Sequence, residues 1–299
     1  MNTKFKPLIS IVIPTYNHGK FISKALTSVI DQTYKNWEAI IIDNESVDET
    51  YKLINDFNDS RIKYFKISNE GIIAKSRNLG IKEAKGDWIA FLDSDDWWTK
   101  DKLELCFNNI DEKVDFIYHD LEIINSKSKL YLKKKNTKGR QLNKPILKNL
   151  LLGLIKEGNA IGNSSVIVRK SILIKIGGIS ENKNLVAAED FNTWLRIAKI
   201  TNQFMYLKKK LGYYLIHDVS AQKKNLSISH KESVNEFMNL FNSQQKLALE
   251  VKWKYMSGNY NRLINNRTKA KQEFIFVIKY GSFPLKLRSL LKIFLMILK

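Results

Sequence analysis

Asp93-Ser94-Asp95-Asp96 places three carboxylates within four residues, directly after the apolar run Trp88–Leu92. Like charges this close raise one another's pKa unless a cation neutralises them. Oxygen ligands of this kind suit Mg²⁺ or Mn²⁺, which keep part of their water shell and bridge substrate phosphates. The competing reading is a solvated loop whose aspartates cap the next helix; a position at the end of an apolar strand favours the metal. A second cluster, Asp43-Asn44-Glu45-Ser46-Val47-Asp48, also follows an apolar run. There the Asp43 carboxylate can accept hydrogen bonds from a base or ribose, while Ser46 or Asp48 caps the following helix. A third, Glu189-Asp190, opens a helical pattern with Trp194 and Arg196 on later turns. A carboxylate facing an acceptor hydroxyl can act as general base, although spacing alone reads this pair as a helix start complementing the dipole.

These residues need elements to hold them. Strand patterns at Leu8–Ile13, Trp37–Ile42, Arg61–Ile67 and Trp88–Leu92 alternate with helical patterns at Lys20–Asp31, Asp48–Asn58 and Glu70–Ala84. Such alternation predicts an α/β fold, Rossmann-like, with a mainly parallel sheet flanked by helices. Unbroken apolar runs suit strands buried on both faces. Ligands of open sheets sit beyond the carboxyl ends of the strands, so Pro14-Thr15-Tyr16-Asn17, Asp43–Ser46 and Asp93–Asp96 are expected to converge. Further on, the pattern predicts a helix near Leu147–Lys156, a strand at Ser165–Val168 and a helix at Glu189–Lys199. Strands at Phe204–Leu207 and Tyr213–Ile216 follow, with helices after about residue 225. The expected division is 1–225 as one α/β domain carrying these strand ends, and 226–299 as a helical, basic, amphipathic appendage.

In order, Ser10–Asn17, Asp31-Gln32-Thr33-Tyr34, Trp37–Asp43, Ala74-Lys75-Ser76-Arg77-Asn78 and Gly86–Asp96 resemble the family 2 glycosyltransferases of the GT-A fold. The resemblance spans roughly 8–220 and extends to Glu189-Asp190, with Trp194 and Arg196, and loosely to His217. It implies that Pro14 and Tyr16 line the nucleotide base, that Asp43 hydrogen-bonds it, and that Arg77 approaches the nucleotide. It further implies that Asp93 and Asp95 form the DxD motif. Asp95 would ligate Mn²⁺ or Mg²⁺, Asp93 would serve the ribose or the metal, His217 is a further candidate ligand, and Asp190 would be the catalytic base. Inverting transfer of one sugar from a nucleotide-sugar, with UDP the expected carrier, to a saccharide acceptor follows. The acceptor would be lipid-linked, in bacterial surface polysaccharide synthesis. Asn44 departs from the second aspartate often found at that strand end. The Gln-x-x-Arg-Trp signature of processive synthases is absent from the sequence.

The chain has 299 residues, 44% of them hydrophobic, enough for one large domain and an appendage. A single cysteine, Cys106, makes no internal disulfide. No long apolar run opens the sequence, which predicts a cytosolic location. The formal charge is +20, and only 8 of the 50 basic residues are Arg. No zinc spacing and no aromatic RNP-like strand occur, so nucleic acid is disfavoured, and the charge is read either as solvated lysines without a dedicated partner or as serving phosphates or a membrane. Lys127–Lys148 is a basic stretch expected to form a loop or hairpin. Near the end, Pro284 starts a predicted helix, with Arg288, Lys292 and Lys299 near one side and Leu287, Leu290, Leu291, Phe294 and Leu298 on the other. Its longest apolar stretch, Ile293–Leu298, is far below the ~20 residues of a membrane span. An in-plane amphipathic helix at the inner face of the cell membrane is the expectation, with a helix packed on the catalytic domain as the alternative. Two rivals are a sugar nucleotidyltransferase, disfavoured because Pro14-Thr15-Tyr16-Asn17 stands where a Gly-rich loop would, and a non-enzymatic basic membrane- or nucleic-acid-binding protein. A dehydrogenase is disfavoured because no Gly-x-Gly-x-x-Gly follows the first strand.

Overall fold

A computed structural model describes residues 6–108, 110, 112–125, 150–217 and 225–298. The chain divides into two compact units. One holds Met1–Glu181 with Thr193–Asp218, the other Asn182–Asn192 with Val219–Lys299. The second unit therefore takes in a short internal segment as well as the C-terminal helices.

In the first unit β1 (Ile9–Thr15) and β2 (Trp37–Asp43) are buried at every position. β1 pairs in parallel with β2 on one side and with β4 (Trp88–Phe91) on the other. β3 (Ile62–Lys66) extends the parallel set beyond β2. Helix α1 (Gly19–Ile30) carries the chain from β1 to β2, α2 (Thr50–Asn55) from β2 to β3, and α3 (Ile73–Glu83) from β3 to β4. The order β3-β2-β1-β4 reverses direction at β1, so the crevice beyond the carboxyl ends of β1 and β4 is the topological switch point. α3 lies tight on β1: a Cβ on Gly80 would stand 2.5 Å from Val12 Cγ1, so only glycine admits this approach.

Beyond β4 the sheet is mixed. β7 (Ile167–Arg169) runs antiparallel to β4 and to β6 (Phe116–Asn125), while β8 (Phe204–Ile216) runs parallel to β6 and antiparallel to β5 (Trp97–Trp98). The two strands expected at Phe204–Leu207 and Tyr213–Ile216 are one strand. A register irregularity opposite His119–Leu121 lets Lys208, Lys209 and Lys210 all face solvent, which hides the alternation. α4 (Lys102–Phe107), α5 (Leu150–Glu157) and α6 (Lys170–Lys175) complete this part. The expected loop or hairpin at Lys127–Lys148 lies outside the described residues.

α7 (Glu189–Ile200) begins in the second unit and continues in the first. The second unit otherwise consists of α8 (Leu226–Asn235), α9 (Ser243–Leu263), α10 (Arg267–Tyr280) and α11 (Phe283–Ile297). α9 opens with a reciprocal cap between Asn242 and Gln245. Gly258 lets α10 approach, since a Cβ there would meet the Phe274 ring at 2.8 Å. Among the described residues no helix is long and apolar enough to cross a membrane.

Candidate active site

The loops after β1 and β2 are stitched together. Asn17, in the left-handed region at φ 51°, donates its N–H to Ser46 Oγ and accepts from Val47 N–H at 2.8 and 2.9 Å. Asparagine tolerates that backbone better than most residues. The N-cap position of α2 is Glu49, without a side-chain cap, so neither Ser46 nor Asp48 is the cap expected there. Asp48 takes Gly19 N–H at 3.0 Å and also the Thr50 N–H and hydroxyl, which ties the starts of α1 and α2 together. Burial works against its charge, but these donors hold its carboxyl below the usual range.

Asp43 ends β2 fully buried. One carboxylate oxygen accepts from the Ser46 N–H and hydroxyl, the other from the Tyr64 hydroxyl at 2.6 Å. Burial and then Asp43 itself push the Tyr64 phenol up, which keeps it a donor. Three of the roughly four acceptor positions of a carboxylate are thus taken, with one left. Pro14 is buried inside β1, whereas Tyr16 is 55% exposed at the strand end.

The three carboxylates after β4 point at three different partners. Asp93 Oδ1 accepts from Arg77 Nη2 and Asn163 Nδ2, both at 2.8 Å. Arg77, expected at the nucleotide, is packed on Asp93 with 4% of its side chain exposed, so any role toward a nucleotide passes through Asp93. Asp95 Oδ2 lies 2.8 Å from His217 Nε2 and keeps about a fifth of its side chain in solvent. His217 also meets the Phe21 ring at 4.8 Å. Asp96 turns inward. Its oxygens accept from Ser164 Oγ at 2.5 Å and Leu215 N–H at 3.0 Å. Burial first, then the charges of Asp95 and Asp93, hold its carboxyl well above the ordinary range. Mutual repulsion is thus relieved in part by burying one member, a solution that composition alone does not suggest. By gripping Leu215, Asp96 also fixes the strand end that delivers His217 to Asp95.

Sequence reasoning missed His18, Ser94, Asn163 and Ser164. His18 Nδ1 sits 2.7 Å from Ser94 Oγ, within the DxD itself. Burial lowers the His18 pKa, with Asp95 pulling the other way. Ser164 accepts from Asp93 N–H at 3.1 Å while donating to Asp96, and its carbonyl takes the indole N–H of Trp98. The signal was the small polar run Gly162–Ser165 just before β7, which the antiparallel pairing brings to the carboxyl end of β4. Ser164→Ala removes both hydroxyl bonds around a buried carboxyl. It should cost about 1–3 kcal/mol in urea unfolding, with donor affinity reduced as the DxD loop loosens.

Asp190 lies in the first turn of α7, and its Oδ1 accepts Phe191 N–H at 2.7 Å. The turn before it includes Ala187 at φ 67°, a left-handed position that a non-glycine residue adopts only where surrounding contacts enforce it. Asn192 and Ala188 are tied to Ser233 of α8, and Phe191 packs on His230 at 5.2 Å between ring centroids. Burial, aided by Lys252, brings His230 down to about 4, so it packs there uncharged at neutral pH.

Among the described residues no three His, Cys, Asp or Glu side chains converge into a closed metal cage. The donors present, a partly exposed Asp95 oxygen with an imidazole beside it and Asp93 two residues away, suit an open hard-cation position. Its remaining ligands would come from phosphate and water.

A mixed sheet with acidic strand ends gathered at its switch point is the arrangement of the GT-A glycosyltransferases, and solved structures of that kind share this fold. S. aureus TarS residues 1–349 bound to UDP-GlcNAc superposes with a TM-score of 0.64 over 93% of this chain and 82% of that one, at 18% identity. The mannosyltransferase PcManGT of Pyrobaculum calidifontis, with GDP-Man and Mn²⁺, gives 0.61 over 94% and 78%, at 14% identity. The sequence model of "Glycosyl transferase family 2" matches residues 10–176, more than half of the chain. The chain belongs to that family, and it is a glycosyltransferase. A relative 34% identical over 65% of this chain and 71% of its own length is the Escherichia coli UDP-Glc:alpha-D-GlcNAc-diphosphoundecaprenol beta-1,3-glucosyltransferase WfgD. The nucleotidyltransferase and the non-enzymatic readings fall with that membership.

Proposed function

We propose that this glycosyltransferase moves one sugar from a UDP-sugar to a hydroxyl of a lipid-linked saccharide, with inversion, in bacterial surface polysaccharide synthesis. The observation that carries the reading is the cluster at the β1/β4 switch point, where Asp93 and Asp95 both stay partly open and Asp95 pairs with an imidazole while Asp93 is held by Arg77 and Asn163. Tyr16 and the last acceptor position of Asp43 receive the base, with Pro14 behind them. Asp93, held by Arg77 and Asn163, serves the ribose. Asp95, with His217 beside it, takes the cation. Asp95 and Asp93 would hold Mn²⁺ or Mg²⁺, which would supply positive charge to a leaving diphosphate so that no separate proton donor is needed. Asp190 accepts the proton of the acceptor hydroxyl as that oxygen attacks the anomeric carbon opposite the leaving group, through an oxocarbenium-like transition state. The name of the E. coli relative, with its diphosphoundecaprenol-linked acceptor, supports a lipid-linked acceptor here. The enzyme then works peripherally at the cytoplasmic membrane face, which its C-terminal helix would touch.

Calorimetry with UDP, GDP, dTDP and CDP, each with and without Mn²⁺, tests the donor half. UDP binding strengthened by Mn²⁺ is expected. Binding of another nucleotide in its place would change the carrier, and no binding by folded protein would remove the donor assignment.

A further inference from the structure

Helix α11 half-buries Leu285, Ile293 and Met296 but leaves most of its large apolar side chains in water. The residues it turns toward the rest of the second unit include its polar ones. Ser289 is fully buried with its hydroxyl lacking a hydrogen-bond partner, and Lys292 reaches in to Asn259 Oδ1 and lies 4.9 Å from the Tyr255 ring. Arg267 holds the other end through the Met296 carbonyl. Meanwhile Leu287, Leu290, Leu291, Phe294, Ile297 and Leu298 are each between 52% and 71% exposed. A helix packed only for its own unit would bury more of these side chains, because each large apolar side chain left in water forgoes the stabilisation of burial. Scattered exposed leucines mean little, but a contiguous stripe of this size marks a surface that something covers.

We infer that the occupant is an anionic phospholipid surface, on which α11 lies in the plane with its leucine-rich side immersed. Length argues for the plane. Fifteen residues span about 22 Å, short of the roughly 30 Å hydrocarbon core. Charge argues for lipid phosphates. From Leu263 to Leu298 the chain carries seven Lys or Arg and one acid, Glu273, and that acid is already paired with Lys254 at 3.0 Å. α11 itself has no acid at all. A second copy docked through this face would bring two acid-free basic helices together, whereas an anionic bilayer meets both the apolar stripe and the surrounding charge. The inference deepens the proposed transferase reading by naming where it operates. Its test involves no sugar transfer, so the two can fail separately.

The test is co-sedimentation of the full chain with vesicles of phosphatidylcholine, alone or with about 30 mol% phosphatidylglycerol. Wild type should pellet with the anionic vesicles at least about tenfold more tightly than with the neutral ones, and raised salt should release it. Leu290→Glu/Phe294→Glu should weaken anionic binding by about tenfold or more, with an unchanged circular dichroism spectrum and unchanged nucleotide binding. Arg288→Glu should lower the preference for anionic vesicles. Failure of folded wild type to bind anionic vesicles would overturn the inference, and so would unaltered binding by the double variant. A wild-type dimer in sedimentation velocity that this double substitution dissociates, without any vesicle binding, would assign the face to a second copy instead.

Discussion

Asp95→Ala should abolish Mn²⁺-dependent nucleotide binding and lower kcat/KM for sugar transfer by about a thousandfold or more, while leaving the fold intact. The reasoning is local. Asp93 is committed to Arg77 and Asn163, and Asp96 is buried on Ser164 and Leu215. Asp93 is as open as Asp95, but among the described residues it is Asp95 that has an imidazole, His217, which a cation can share. Among the described residues the Asp95 carboxylate bonds only His217, and the DxD loop is held through Asp93 and Asp96, so unfolding free energy should move by about 1 kcal/mol. Asp96→Ala provides the contrast. It should cost several times more stability, because it strips the partners from Ser164 and Leu215 in the core. If Asp95→Ala keeps metal-stimulated UDP binding, the cation is held elsewhere and the assignment at β4 is wrong.

The first half of the fold was legible because buried parallel strands write themselves as unbroken apolar runs. β1, β2 and β4 end within two residues of where the sequence ends them, and their polar successors, Asp43 and Asp93–Asp96, stand where an open sheet binds ligands. The far side of the sheet was harder. β5 has two residues, too few for any period, and β8 disguises itself by an irregularity at three lysines. The residues that shape the DxD come from that side: Ser164 through β7, and Leu215 and His217 through β8. Ser164 and Leu215 matter through strand register and not through local pattern, so they could not be chosen in advance, whereas Asp93 and Asp95 sit on a legible strand end and His217 was reached only through the family resemblance. The remaining part of the Ile216–Ser220 segment lies beyond the described residues. For α11 the wheel correctly gathered the leucines but could not say which side faces inward. That orientation depends on Asn259 and Tyr255 of another helix.

Asp190→Asn should cut kcat by roughly 10²–10⁴ and leave UDP binding within about twofold of wild type. Two explanations compete for this residue. As a helix-start residue, Asp190 satisfies the orphan N–H of Phe191 and complements the positive end of α7. As a base, it must accept a proton that an amide cannot hold. Asparagine keeps an oxygen acceptor at the same atom, so it preserves the hydrogen bond to Phe191 and gives up only the charge, a loss of about 0.3–1 kcal/mol in stability. Alanine gives up both and should melt earlier than asparagine while being equally inactive. Activity that follows the melting temperature across Asp, Asn and Ala would assign Asp190 to holding the turn that begins at Ala187. Activity lost in both variants, with the asparagine protein nearly as stable as wild type, assigns it the proton.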